Sequence, residues 1–98
     1  PAILQRGEMS VAVSTGGGSP ALARRLRERF EDIIGPEYGS LTEIMSELRS
    51  ELIDGFSPGQ ARLEAALRVI DSDVLQIIQK QGKDEALTYA REQLFSQR

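Results

Sequence analysis

The stretch Ser14-Thr15-Gly16-Gly17-Gly18-Ser19-Pro20 separates an alternating apolar run from an arginine-rich segment, and it decides the predicted fold. Glycine adopts positive φ at little steric cost, so three glycines in a row predict a tight turn whose backbone can approach a ligand. Ser19 is a favourable N-cap, and Pro20 fits the first turn of a helix. The stretch therefore predicts a strand that leads through a turn into a helix, and the N-terminal N–H groups of that helix favour an anion.

Two short strands are predicted before this turn, at residues 2–5 and 9–14. Val11 and Val13 alternate with small residues, which is typical of a half-buried strand. Residues 6–8, Arg-Gly-Glu, predict the turn between the two strands. A hairpin of two strands is only marginally stable in water, so we expect further strands from a second copy or from the rest of a longer protein.

About five helices are predicted after the glycine turn. The first covers residues 20–34, because its apolar residues recur at helical spacing; they are Leu22, Leu26, Phe30 and Ile33. Ser40, with Glu43 three positions later, predicts a capping box at the start of the second helix, which ends near Gly55. Ser57 predicts the N-cap of the third helix, with Pro58 at its first position. The last two are predicted to begin near residues 71–72 and at residue 84.

The predicted fold class is α+β, with a short β-hairpin or dimerisation layer followed by a bundle of about five helices. We divide the chain at a predicted boundary after residue 35. Residues 1–35 would contain the hairpin, the glycine turn and the first helix and act as a dimerisation region, and residues 36–98 would form the helical bundle.

Composition excludes several kinds of site. The 98 residues include no cysteine and no histidine, so disulfides, thiolate metal sites and imidazole bases are absent. No long apolar segment predicts a membrane span, and no signal peptide is visible, so we expect a cytoplasmic protein without a membrane partner. The chain opens on strand-like sequence at Pro1 without a methionine, and we therefore expect it to be cut from a longer protein.

Positive charge is concentrated near the glycine turn. Residues 1–30 contain five arginines against two glutamates, whereas the rest of the chain is acidic. This distribution favours a small polyanionic ligand and argues against nucleic acid, for which a broader basic face is expected. Arg24 is nearest to the turn. The other arginines of this helix are predicted to lie on a solvated face, where Arg25 can pair with Glu28, and Arg27 with Glu31.

Other interpretations of these patterns remain open. The glycine turn by itself also fits a flexible connection. It lacks the Gly-Lys-Ser/Thr ending of a Walker loop and the spacing of a dinucleotide fingerprint. Glu43, Glu47 and Glu51 recur every four residues, which is more typical of a solvated helix stripe than of a metal or acid–base pair. The chain contains no nucleophile–base pair that predicts catalysis.

Residues in the first third of the chain resemble the siroheme synthase family. The matching segments are Pro1-Ala2-Ile3-Leu4-Gln5-Arg6-Gly7 and Val11-Ala12-Val13-Ser14-Thr15-Gly16-Gly17-Gly18-Ser19-Pro20-Ala21-Leu22-Ala23-Arg24, followed by Leu26-Arg27. The family pattern is a strand, then Ser-Ser/Thr-Gly-Gly-x-Ser-Pro, then Leu-Ala-Arg, with Gly18 at the variable position. The resemblance is to the segment that follows the NAD-binding domain of precorrin-2 dehydrogenases/sirohydrochlorin ferrochelatases.

This resemblance implies that the parent enzyme oxidises precorrin-2 to sirohydrochlorin with NAD, and it leaves open whether the enzyme then inserts ferrous iron. NAD and the catalytic aspartate would belong to a preceding domain, so we expect no catalytic, cofactor-binding or metal-binding residue in this chain. The chain would contribute to a homodimer and to the tetrapyrrole cleft. By the motif match, the expected substrate-binding residues are Ser14, Thr15, Gly16, Gly17, Gly18, Ser19 and Arg24.

Two alternatives belong to different functional classes. One is a stand-alone dimeric helical module that binds a small anion as a sensor. The other is a purely structural assembly unit in which the glycine turn is only a hinge. A glycine-rich βαβ domain directly before Pro1 in the parent gene would favour the enzyme, whereas the assembly unit predicts that changes in the turn alter assembly and not ligand binding.

Overall fold

The computed structural model describes residues 1–96, which form two strands and six helices. The strands are β1 (Ala2–Arg6) and β2 (Met9–Val13), and the helices are α1 (Pro20–Ile33), α2 (Glu37–Glu47), α3 (Arg49–Gly55), α4 (Gln60–Ile70), α5 (Val74–Gln81) and α6 (Lys83–Leu94). This confirms the α+β class with a hairpin before the helices. The chain divides into two compact units, Pro1–Gly39 and the residues from Ser40 onward. Our predicted boundary lay four residues earlier.

In the first unit, β1 and β2 pair antiparallel, with Leu4 opposite Val11 and Ala2 opposite Val13. These four residues share one face because side chains alternate along a strand. Helix α1 packs against both strands, and Leu4 is almost fully buried. The opposite face, which includes Ile3 and Ala12, is exposed.

The buried face of α1 differs from the predicted one. Leu22 and Ile33 are exposed, whereas Ala23 is buried and Leu26 and Phe30 are half-buried. The predicted stripe was therefore wrong at its two ends. A small residue at position 23 allows the helix to approach the sheet closely, and this packing determines which face of the helix is covered.

Arg6 attaches the hairpin to the end of α1. Its Nε donates to the carbonyl oxygen of Ile34 at 2.8 Å, and its Nη2 donates to that of Glu31 at 3.4 Å. These contacts satisfy carbonyls that have no partner inside a helix end. Gly39 is buried against the same strand end, since a Cβ there would stand 3.1 Å from the carbonyl group of Arg6.

Three predicted helix starts were misplaced. Helix α2 begins at Glu37, so Ser40 lies inside it and forms no capping box. Helix α4 begins at Gln60, because Gly59 has a φ of 93° that an α-helix cannot include, and Pro58 stays in the preceding turn. Helix α5 begins at Val74, after the predicted start. The segment predicted as one helix from residue 40 to 55 is divided at Leu48, which raises the number of helices from about five to six.

The second unit buries small and branched residues between its helices. Its fully buried side chains include Ile44, Leu48, Ala65, Val69, Val74, Ala86, Ala90 and Leu94. The three glutamates predicted to be solvated are ion-paired to α6. Lys83 Nζ lies 3.2 Å from Glu43 and 2.9 Å from Glu47, and Arg91 Nε lies 2.8 Å from Glu51. No helix in residues 1–96 has the length and apolarity needed to cross a bilayer.

Candidate functional site

The three glycines of the turn between β2 and α1 have two different structural roles. Gly16 and Gly17 adopt positive φ values of 64° and 83°, and their Cβ positions are open. Gly18 does not have positive φ, but a Cβ there would stand 3.1 Å from the carbonyl oxygen of Thr15. The first two glycines are therefore required by backbone conformation, and the third by a close approach.

The hydroxyl groups of the turn bond to the backbone of the turn itself. Thr15 Oγ1 accepts from the N–H of Ser19 at 2.9 Å and donates to the carbonyl oxygen of Ser19 at 3.2 Å. Ser19 Oγ accepts from the N–H of Leu22 at 3.1 Å, so Ser19 is the N-cap of α1 as predicted. Ser14 Oγ accepts from the N–H of Gly16 at 3.3 Å. These bonds build the turn and use much of the hydrogen-bonding capacity that a ligand would otherwise meet.

A surface hollow of about 450 Å³ lies beside this turn, entirely within the first unit. One wall is formed by the ends of the hairpin, at Ala2 and Val13. The opposite wall is formed by Pro20 and Ala23 of α1. Its size falls within the range of small-molecule sites, and its walls combine apolar atoms with a few polar groups as such sites do.

The hollow brings together four of the seven residues predicted from the sequence. Ser14, Thr15, Gly17 and Arg24 line it. The other three, Gly16, Gly18 and Ser19, do not line the hollow. The two glycines allow the backbone conformation of the turn, and Ser19 caps the start of α1. These four residues therefore lie around one hollow. That they bind a ligand stays a prediction.

Two guanidinium groups supply the charge of the hollow. Arg24 makes no hydrogen bond or ion pair with any of residues 1–96, so its donors face solvent and the hollow. Arg27 also lines the hollow, and it was not among the predicted site residues. The signal that identifies it is its position three residues after Arg24, which places both side chains on the same side of a helix.

The part of the chain that the structure describes offers no cluster of metal-binding side chains. In residues 1–96 no group of three or more His, Cys, Asp or Glu side chains could hold a metal ion. The clear pKa shifts occur in the second unit. Hydrogen bonds to Glu47 and Glu43 raise the pKa of Lys83, and a hydrogen bond to Glu51 raises the pKa of Arg91. Both shifts arise from surface ion pairs.

Comparisons with known proteins identify relatives of this chain. The family described as "Sirohaem biosynthesis protein central" matches residues 6–33, which include the glycine turn and α1. The siroheme synthase of Methylobacillus flagellatus is 40% identical over 102 residues, an alignment that covers 100% of this chain and 21% of the relative. The precorrin-2 dehydrogenase of Methanosarcina barkeri is 31% identical over 75 residues, with 76% of this chain and 34% of the relative covered.

A solved structure shares the fold. SirC, a precorrin-2 dehydrogenase, superposes with a TM-score of 0.66 at 28% identity, and the match covers 94% of this chain and 46% of that protein. The chain thus spans less than half of this neighbour and about a fifth of the Methylobacillus enzyme.

Proposed function

The chain belongs to the siroheme synthase family, and from this premise we propose that the protein containing it is an NAD-dependent precorrin-2 dehydrogenase. In this proposal the enzyme oxidises precorrin-2 to sirohydrochlorin, and residues 1–39 form one wall of the tetrapyrrole site. The observation that supports it is the hollow beside the glycine turn, which presents two arginines to a ligand. Insertion of ferrous iron into sirohydrochlorin is a further step that the family resemblance leaves open.

The chemistry of the hollow suits a tetrapyrrole with carboxylates around its rim. Guanidinium groups bind carboxylates through paired, charge-assisted hydrogen bonds. The N-terminus of α1 adds the positive end of its dipole next to the same turn. Apolar contact from Val13, Pro20 and Ala23 can cover part of a macrocycle edge while the arginines bind its substituents.

The residues of this chain do not fit NAD. A dinucleotide site requires a parallel βαβ unit with a Gly-x-Gly-x-x-Gly turn. Here the strand before the glycine turn belongs to an antiparallel hairpin, and residues 1–96 contain no strand after α1. In our proposal NAD is bound by a region of the enzyme outside this chain, since the relatives are longer than the segment that the chain matches.

A cytoplasmic location also remains a prediction.

We further propose that the protein is a homodimer in which the hairpin takes part. Over residues 1–96 the sheet has only two strands, so each strand keeps one edge unpaired. Open edges and small sheets are unfavourable in isolation. Sedimentation analysis of the purified protein tests this proposal, and a monomer at micromolar concentration would refute it.

The activity is tested with the protein as its gene encodes it. Purified enzyme is incubated with precorrin-2 and NAD, and NADH absorbance is followed. Arg24→Ala is compared with the matched control Arg25→Ala, since Arg25 lies on the same helix but does not line the hollow. We expect Arg24→Ala to raise the Michaelis constant for precorrin-2 and Arg25→Ala to leave it unchanged.

Each outcome selects one of the hypotheses. The proposal that the protein is a precorrin-2 dehydrogenase would be refuted if no NADH forms and no sirohydrochlorin binds in a fluorescence titration. A dimer that binds no tetrapyrrole would favour the assembly unit. If the enzyme is active but Arg24→Ala behaves as Arg25→Ala does, the hollow is not the substrate site.

A further inference from the structure

Helix α1 carries two arginine–glutamate pairs that differ in their position relative to the hollow. Arg27 Nη1 lies 2.8 Å from Glu31 Oε2, with side chains 25% and 39% exposed. Arg25 Nε lies 3.2 Å from Glu28 Oε1, with side chains 68% and 48% exposed. Only Arg27 among these four residues lines the hollow. The two pairs have the same chemistry, but only one of them is at the candidate site.

The pairing leaves most of the Arg27 guanidinium available. A guanidinium carries five N–H donors, and among residues 1–96 only Nη1 has an acceptor, which is Glu31. The pair is only part-buried, so water still reaches and screens it, and both side chains lose rotamer freedom. A pair four residues apart on a helix is therefore weak. A carboxylate in the hollow can therefore bind the remaining donors or replace Glu31.

We propose that Arg27 is a second carboxylate-binding residue of the hollow and that Glu31 competes with the ligand for it. This inference rests on the proposed function, because the ligand it requires carries at least two carboxylates. Arg24 and Arg27 stand three residues apart on one helix, so they can bind neighbouring carboxylates of the same molecule. The negative charge of Glu31 lowers the attraction of the hollow for anions, and its removal strengthens binding.

The experiment titrates the full protein with sirohydrochlorin and follows fluorescence. We expect Arg27→Gln to weaken binding about tenfold or more, since tenfold is near the lower end of the loss for a hydrogen bond to a charged group. We expect Glu31→Gln to strengthen binding about threefold, the scale of a partly exposed charge interaction. The matched controls are Arg25→Gln and Glu28→Gln, which make the same charge changes outside the hollow and leave binding unchanged.

Further readouts separate binding from folding. Circular dichroism and thermal melting of each variant establish that it is folded. Arg27→Lys keeps the charge but removes the planar fork, so we expect it to bind less tightly than wild type and more tightly than Arg27→Gln. If Arg27→Gln does not fold, Glu31→Gln remains a test, because Glu31 is a helix-surface residue outside the hollow lining.

The outcomes distinguish this inference from the proposed function. If wild type fails to bind sirohydrochlorin, the proposed function is refuted and the inference with it. If wild type binds but Arg27→Gln matches Arg25→Gln, the inference is refuted while the proposed function stands. If Glu31→Gln weakens binding, Glu31 does not compete with the ligand, and that part of the inference is wrong.

Discussion

Replacement of Thr15 by valine tests whether the turn hydroxyls are structural. Valine has nearly the same shape as threonine but cannot form the two hydrogen bonds that join Thr15 Oγ1 to the N–H and the carbonyl oxygen of Ser19. A typical net contribution is about 1 kcal/mol for each bond. Ser19 is half-buried, so water can partly replace the lost partner. We therefore expect Thr15→Val to destabilise the protein by about 1 to 2 kcal/mol.

Thr15→Ser is the matched control, because serine keeps the hydroxyl group and loses only one methyl group. Complete burial of a methyl group contributes about 0.8 kcal/mol, and Thr15 is only half-buried, so the loss should be about half of that. Urea unfolding gives the free energies. Amide hydrogen exchange measured by NMR adds a local readout, since the N–H of Ser19 should lose protection in Thr15→Val and keep it in Thr15→Ser.

Equal stability of the valine and threonine proteins would refute this reasoning. It would mean that the hydroxyl group adds nothing to the turn and is free for a ligand. A large loss of sirohydrochlorin affinity in Thr15→Val, with Ser19 still protected from exchange, would point to the same conclusion. In that case Thr15 would be a direct ligand contact, as the sequence motif predicts.

Three further predictions concern the two units. Leu4→Ala should destabilise the first unit by about 3 kcal/mol, because the side chain is almost fully buried between the hairpin and α1; urea unfolding measures this, and Ile3→Ala on the exposed face is the control. Gly17→Ala should cost about 1 kcal/mol because of its positive φ, and a wild-type melting temperature would contradict this. The raised pKa of Lys83 means that its ion pairs stabilise the fold below pH 10.5 and lose this effect as pH rises through the higher folded-state pKa. The free energy of unfolding, measured as a function of pH, should therefore fall less at alkaline pH in Lys83→Gln than in wild type. An equal fall in both proteins would contradict this prediction.

Local sequence signals were sufficient for the hairpin and for the start of α1. Alternation of small and branched residues predicted the strands, and Ser19 with Pro20 marked the helix start, because these effects act over a few residues. The α+β class and the place of the glycine turn followed from the same signals. The family motif identified four residues that line the hollow without any knowledge of packing.

Tertiary structure decided where two of the helices begin and which face of α1 is buried. Capping patterns at Ser40 and Ser57 predicted helix starts that the structure does not use, since α2 already begins at Glu37 and Gly59 has positive φ. Packing also selected the buried face of α1. This packing turns toward the hollow the side of α1 that carries both Arg24 and Arg27. The spacing of three residues predicts that these two side chains share a side of the helix, but it does not say which side faces the hollow. The residue types of a helix can be read from sequence, but which of them face a site depends on how closely the helix approaches its neighbours.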